Sequence, residues 1–224
     1  MTTGFFISGT DTSVGKTYFT TALLTQLRAH GVDAVGFKPI CCGDRGDSEA
    51  IHAATGGVAT LDEINPVWLR PPAAPYTASI IEERTIDLAQ IRAAFAKLRE
   101  KHACIIVEGA GGWLVPIRRD FSVADLAAEF ALPVIVLVEN RLGCLNHALL
   151  TTESIRSRGL ECAGYVLNHG LAVPTNDPLE AAARAVATNT NRAVLEDVSG
   201  LRVLCELNAD GDLPDDFTEI LGVR

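Results

Sequence analysis

The chain has 224 residues, 48% of them hydrophobic, enough to bury one large core, and a single domain spanning residues 1–224 is expected. Its 28 acidic and 19 basic residues give a formal net charge of −9, which opposes the field that a nucleic acid or an anionic membrane surface demands of its partner. The six cysteines contain no C-x-x-C pair and three lie in strand-like apolar runs, so they read as small hydrophobes of a reduced, cytoplasmic protein.

In chain order, the start from Met1 to Ile7 carries no basic region and no apolar run is long enough to cross a bilayer, so neither a targeting nor a membrane segment is expected. Phe5-Phe6-Ile7 reads as a buried strand, Gly9 to Thr17 as a glycine-bearing loop, and Lys16 to His30 as a helix ended by Gly31. Ala34 to Phe37 predicts a second strand, running into Lys38-Pro39. Four prolines between Asn65 and Tyr76 (Pro66, Pro71, Pro72, Pro75) predict an irregular loop near the sheet edge. A helix over 88–101 follows, then a strand over 104–107 ending in Glu108 and the run Gly109-Ala110-Gly111-Gly112.

Ser122 and Asp125 have the spacing of a capping box that opens a further helix. Val134 to Val138 predicts a strand, Asn146 to Arg158 a helix ended by Gly159, and 164–167 and 201–204 two more strands. Strands alternating with helices imply right-handed crossovers. The fold expected is therefore α/β: a single doubly wound, mainly parallel sheet with helices on both faces.

A glycine-rich loop between an apolar strand and an amphipathic helix is the context of a phosphate loop, so the domain is P-loop NTPase-like. Loop amides and the helix start would face ATP phosphates, Lys16 would reach the β and γ phosphates, and the Thr17 hydroxyl would ligate Mg²⁺. The loop is a variant, because its first glycine is Gly9 and Thr10 stands where the usual pattern has glycine. Glu108, at the carboxyl end of a strand, is the expected second Mg²⁺ ligand, against the alternative of a solvated residue after the strand. Lys38 faces the same sheet edge or is a solvated surface charge, and Asp47 is a third metal-linked acid or a plain helix N-cap. His147 and His169 have no second ligand at metal spacing and are assigned to no metal.

Taken together, Gly9-Thr10-Asp11-Thr12-Ser13-Val14-Gly15-Lys16-Thr17, Phe37-Lys38-Pro39, Val107 to Trp113 and Leu142 to Thr151 resemble the dethiobiotin synthetases, ATP-dependent carboxylases of biotin biosynthesis, and the likeness extends to Asn168. The resemblance implies that 7,8-diaminononanoate takes up CO₂ as a carbamate, that ATP phosphorylates the carbamate, and that the neighbouring amine closes the ring. It makes Lys16 and Lys38 catalytic, and Thr17, Asp47 and Glu108 metal ligands. It assigns the nucleotide to Ser13, Val14, Gly15, Lys16, Thr17, Tyr18, Asp47, Glu108, Gly109, Ala110, Gly111, Asn168 and Asn208. The substrate falls to Thr12, Lys38, Cys42 and, across a homodimer interface, to Gly143, Cys144, Leu145 and Asn146.

Three residues depart from the family pattern: Cys42 stands for a serine, Ser13 for an acid and Asn208 for a proline. A thiol is a poorer hydrogen-bond donor than a hydroxyl, so weaker carbamate binding is expected. Two alternatives remain open at this point. One is an amidoligase or synthetase acting on another small carboxylate. The other is an ATP switch protein of the partitioning or division-site type, which would need a lysine where Asp11 stands and a basic amphipathic tail where residues 210–224 are acidic.

Overall fold

The computed structural model describes residues 3–170, 177–208 and 213–223; Met1 and Thr2 of the start, and Asp210 and Asp212 of the acidic tail, lie outside the described residues. In chain order the elements are β1 (Thr3–Gly9), α1 (Lys16–Ala29), β2 (Ala34–Phe37), β3 (Ile40–Cys42), α2 (Gly46–Ala54), α3 (Leu61–Ile64), β4 (Val67–Leu69), α4 (Pro75–Ile81) and α5 (Leu88–Lys101). Then come β5 (Cys104–Glu108), β6 (Pro116–Arg118), β7 (Phe121–Ser122), α6 (Val123–Phe130), β8 (Val134–Glu139), α7 (Cys144–Ser157), β9 (Cys162–Asn168), α8 (Pro178–Ser199), β10 (Val203–Leu207) and α9 (Phe217–Ile220).

Six strands form one parallel sheet in the order β10-β9-β8-β1-β5-β2. The central strands are apolar along their whole length because helices cover both faces, and β5 and nearly all of β8 are buried. The chain order reverses on either side of β1, with β5 and β2 to one side and β8, β9 and β10 to the other. That reversal opens a crevice at the carboxyl end of β1, where such sheets hold ligands. Register aligns the neighbours closely, pairing Ile7 with Glu108 and Phe37 with Val107.

The expected strands and helices are present, with boundaries moved by up to three residues. Helix α7 begins at Cys144, and β10 begins at Val203 because Gly200, with φ of 68°, ends α8 just before it. Helix α5 matches its expected limits and starts with the Asp87 side chain accepting from Ala89 N at 2.8 Å. The Ser122–Asp125 capping box opens α6, with Ser122 N donating to Asp125 Oδ2 at 2.8 Å.

The proline-rich stretch is a correction. Within it β4 pairs in parallel with β3, and Pro75 takes the first turn of α4, where its missing N–H leaves no gap. Helix α8 gives a weak sequence signal, since its middle, Thr188-Asn189-Thr190-Asn191, is made of poor helix formers. It is fixed instead by the Asp177 cap, whose Oδ1 accepts from Leu179 N at 2.9 Å, and by packing on α7.

Gly36 on β2 shows how tightly helices sit on the sheet. A Cβ there would collide with Ile51 of α2 and come within 2.8 Å of Leu24 Cδ1 of α1, while its N–H bonds Thr55 Oγ1 at 3.1 Å. Gly36→Ala is expected to lower stability by ~1–3 kcal/mol, the usual cost of overpacking, read from the urea midpoint at unchanged m-value.

Candidate active site

Every parallel strand of the main sheet delivers its last residue to one edge, and the candidate groups sit there. Between Gly9 and Lys16 the backbone turns back on itself, with Ser13 at φ of 60° and Gly15 at φ of 96°. Successive N–H groups in such a turn form a concave anion nest, and α1 adds its positive end. Gly15 is also required sterically, because a Cβ would strike the Asn168 amide, which donates to Val14 O at 3.0 Å. Lys16 arches back so that Nζ donates to Asp11 O at 3.0 Å.

Glu108, the last residue of β5, is fully buried. Its Oε1 accepts from Thr17 Oγ1 at 2.8 Å and from Lys38 Nζ in a short ion pair, while its Oε2 is buried without a partner among the described residues. Lys38 is also buried, at 3% exposure, and its Nζ bonds Asp47 Oδ2 at 3.0 Å. Burial works against the Lys38 charge, but the Glu108 and Asp47 carboxylates outweigh it and hold the ammonium above the usual lysine range. Asp47 is likewise opposed by burial and drawn below the usual carboxylate range by Lys38.

These facts decide three alternatives left by the sequence. Glu108 is not a solvated residue after the strand, Lys38 is not a surface charge, and Asp47 is no N-cap. The cap position of α2 is Arg45 without a side-chain bond, and the Asp47 carboxylate turns to Lys38.

A cavity of about 400 Å³ opens beside Lys38, lined by Thr12, Cys42, Asp47, Ala110, Gly111 and the wall Pro72 to Pro75, among others. The proline-rich stretch that forms this wall is expected from the sequence as a loop near the sheet edge, and its place beside Lys38 comes from the fold. Burial, then the neighbouring Cys41, pushes the Cys42 thiol up to about 12, so it stays neutral. A Cβ at Gly109 would crowd Val123 Cγ1 at 3.0 Å and the Phe6 ring at 3.1 Å, whereas one at Gly112 would make only ordinary contact with Asp11 Cα of the phosphate loop at 3.5 Å.

Asn168 is buried at the end of β9 against Gly15, whereas Asn208 follows β10 and is exposed, and Tyr18 is half-exposed on α1. Gly143, Cys144, Leu145 and Asn146 form the start of α7 and do not line the Lys38 cavity. His169 bonds Glu206 at 2.7 Å, and among the described residues no three His, Cys, Asp or Glu side chains cluster as a metal site. Sequence reasoning passed over Asn65, whose buried amide bonds Lys38 O and Val67 O at 2.9 Å and so fixes the backbone carrying Lys38.

A nest at the switch point of a parallel sheet, followed by lysine and threonine and faced by a buried carboxylate, defines a phosphate-loop nucleotide-binding protein. Comparison with known proteins narrows the class. A family model described as an AAA domain matches residues 3–215. An ATP-dependent dethiobiotin synthetase of Akkermansia muciniphila is 43% identical over 203 residues, 91% of each chain. Another, from Aromatoleum aromaticum, is 44% identical over 172 residues, 73% of this chain and 76% of that one. The chain belongs to the dethiobiotin synthetase family, whose members are ATP-dependent ligases that form C–N bonds.

Solved structures share the fold at much lower identity. A ParA family ATPase from Chlorobium tepidum has a TM-score of 0.56 at 11% identity, covering 99% of this chain and 89% of its own. The septum site-determining protein MinD of Pyrococcus horikoshii, complexed with Mg-ADP, has a TM-score of 0.54 at 16% identity, covering 94% and 82%.

Lys16 supplies a pH signature of the nest. Burial, then the Lys38 ammonium, lowers its pKa to about 8, and phosphate oxygens would restore the charged form. At pH 8, ADP binding is expected to take up about half a proton at this residue, falling towards zero below about pH 7. Calorimetry in buffers of contrasting ionisation enthalpy measures the uptake, and Lys16→Arg, whose guanidinium stays charged, should abolish it.

Proposed function

We propose that the chain is a cytoplasmic, single-domain enzyme that converts 7,8-diaminononanoate, CO₂ and ATP into dethiobiotin, ADP and phosphate. The observation that carries this reading is Glu108, a fully buried carboxylate with one oxygen shared by Lys38 and Thr17 and the other without a partner among the described residues. Six free cysteines and a net charge of −9 support a reduced compartment without a nucleic-acid or membrane partner. Among the described residues no helix is long and apolar enough to cross a membrane.

The donors suit Mg²⁺, which is bound by one or two carboxylates together with phosphates and water, so the lack of a three-acid cluster is no obstacle. Thr17, Asp47 and Glu108 would hold it, the orphaned Glu108 oxygen being the free acceptor, and the ion when bound offsets charge on the β and γ phosphate oxygens. Ser13, Val14, Gly15 and Lys16 cradle the phosphates. Tyr18, Gly109, Ala110, Gly111, Asn168 and Asn208 complete the nucleotide side.

The diamine lies in the cavity between Thr12, Lys38 and Cys42. One amine nitrogen bonds CO₂ and loses a proton, giving a carbamate. A carbamate oxygen then displaces ADP from the γ phosphorus, forming a carbamic–phosphoric anhydride. The second amine attacks the anhydride carbonyl, phosphate leaves, and the ureido ring closes. Two anions must meet in the middle step, and the Lys16 and Lys38 ammonium groups offset the charge that accumulates there.

The long end of the substrate reaches a second subunit. Gly143, Cys144, Leu145 and Asn146 form the α7 start, where the N–H of Cys144 is bonded to Arg141 O and those of its neighbours suit the substrate carboxylate, and they stand apart from the Lys38 cavity of their own chain. Leu114, Leu142 and Leu150 are each more than half exposed, and a second copy of the chain would cover them. This supports a homodimer with the site at its interface.

Purified protein given ATP, Mg²⁺, bicarbonate and 7,8-diaminononanoate should release phosphate and a product of dethiobiotin mass, with turnover dependent on both diamine and CO₂. Phosphate release indifferent to the diamine would remove the assignment. Lys16→Gln should leave a folded protein with turnover lowered at least ~100-fold. Cys42→Ser should restore one hydrogen bond, worth ~1 kcal/mol, and lower KM for the diamine about fivefold at unchanged kcat.

A further inference from the structure

Helix α8 buries the row Ala187, Asn191, Leu195 and Ser199, spaced so that all four share one face. An amide in such a row is costly unless its polar atoms are bonded, and leucine would continue the packing. Asn191 is 3% exposed, and every hydrogen bond seen from its Nδ2 goes to the segment that joins β8 to α7 or to the first residue of α7. The acceptors are Asn140 Oδ1 at 2.7 Å, Arg141 O at 3.3 Å and Cys144 Sγ at 3.2 Å. Arg141 O also accepts from Cys144 N at 3.1 Å, closing a turn that Gly143 completes at φ of 92°. Asn140 N in turn donates to Asn168 O at 2.9 Å, and Asn168 bonds the phosphate loop at Val14 O.

We propose that Asn191 is a positioning residue for the substrate, fixing the turn 141–144 so that the α7 start presents its free N–H groups in one orientation to the carboxylate of a substrate held in the partner subunit. The inference rests on the shared-site reading given above. Asn191 touches neither nucleotide nor substrate. Its effect passes through the turn, so it acts on binding of the carboxylate end and not on phosphoryl transfer.

Asn191→Leu should raise KM for 7,8-diaminononanoate about tenfold, with kcat and KM for ATP changed less than about twofold. Asn191→Asp, which keeps the shape but removes the N–H donors, should do the same and serves if the leucine variant does not fold. A loss of melting temperature with uniform loss of kcat, and no change in KM for the diamine, overturns the proposal. Hybrid dimers locate the effect, with Lys16→Gln silencing one phosphate loop. When Asn191→Leu and Lys16→Gln share a chain opposite a wild-type chain, the active loop reads the altered turn and KM rises. When the two substitutions lie on different chains, the active loop reads an intact turn and KM is normal. Gly143→Ala, which disturbs the same turn directly, is the control in both hybrids. If it raises KM across the interface and Asn191→Leu does not, the shared site stands and the positioning role falls. If it raises KM only for the site of its own chain, the shared-site reading falls and the proposal falls with it.

Discussion

The site depends on one buried carboxylate. Glu108 ends β5 in full burial, and an ionised acid there is tolerable only while cations and donors surround it. Lys38 and Thr17 do so from the two flanking strands, Lys38 just beyond β2 and Thr17 just beyond the loop that follows β1. The strand order β1-β5-β2 is what brings the three together, since each parallel strand releases its chain at the same edge. Removing any one of them would leave a charge or a polar atom stranded in the interior, a larger penalty than the net worth of the interaction. The second Glu108 oxygen has no hydrogen-bond partner among the described residues, so the cluster keeps one buried acceptor beside its cations.

Much of this was legible in the sequence because it is local. The phosphate loop, the apolar strands, the glycines that end α1 and α7 and the Ser122–Asp125 cap all lie within a few residues of what they determine. The carboxylate–ammonium pair was not, because 70 residues separate Lys38 from Glu108 and their approach follows from strand order. For the same reason the residues alone left Lys38 between a site lysine and a solvated charge, and only the family resemblance made it catalytic. The proline-rich segment misled for a different cause. Three of its prolines, Pro66, Pro71 and Pro72, do flank rather than enter an element, but they leave room for the three-residue β4 between them, and Pro75 takes the first turn of α4.

Helix α8 marks the limit of sequence reasoning more sharply. Its central residues are weak helix formers, and the buried row that explains its place contains an asparagine and a serine beside one leucine and one alanine. No hydrophobic periodicity exposes such a face. Only the packed structure shows that the polar member is satisfied by a turn some fifty residues away.

The two sides of β1 thus do different work. On the β5 and β2 side the strand ends carry charge: a carboxylate, a buried lysine and Asp47 from the helix beyond. On the β8, β9 and β10 side Asn140 and Asn168 bond backbone and neighbouring amides and hold loops in place, while the one acid at the end of β8, Glu139, is paired with Arg141 at 3.0 Å. Charge must lie where phosphate charge changes during reaction, and its energy depends on reorganisation being small. Cys42 sits on β3 in the cavity that Lys38, Asp47 and the Pro72–Pro75 wall also line, so exchanging its thiol for a hydroxyl changes a hydrogen-bond donor there without removing any member of the Lys38–Glu108 pair.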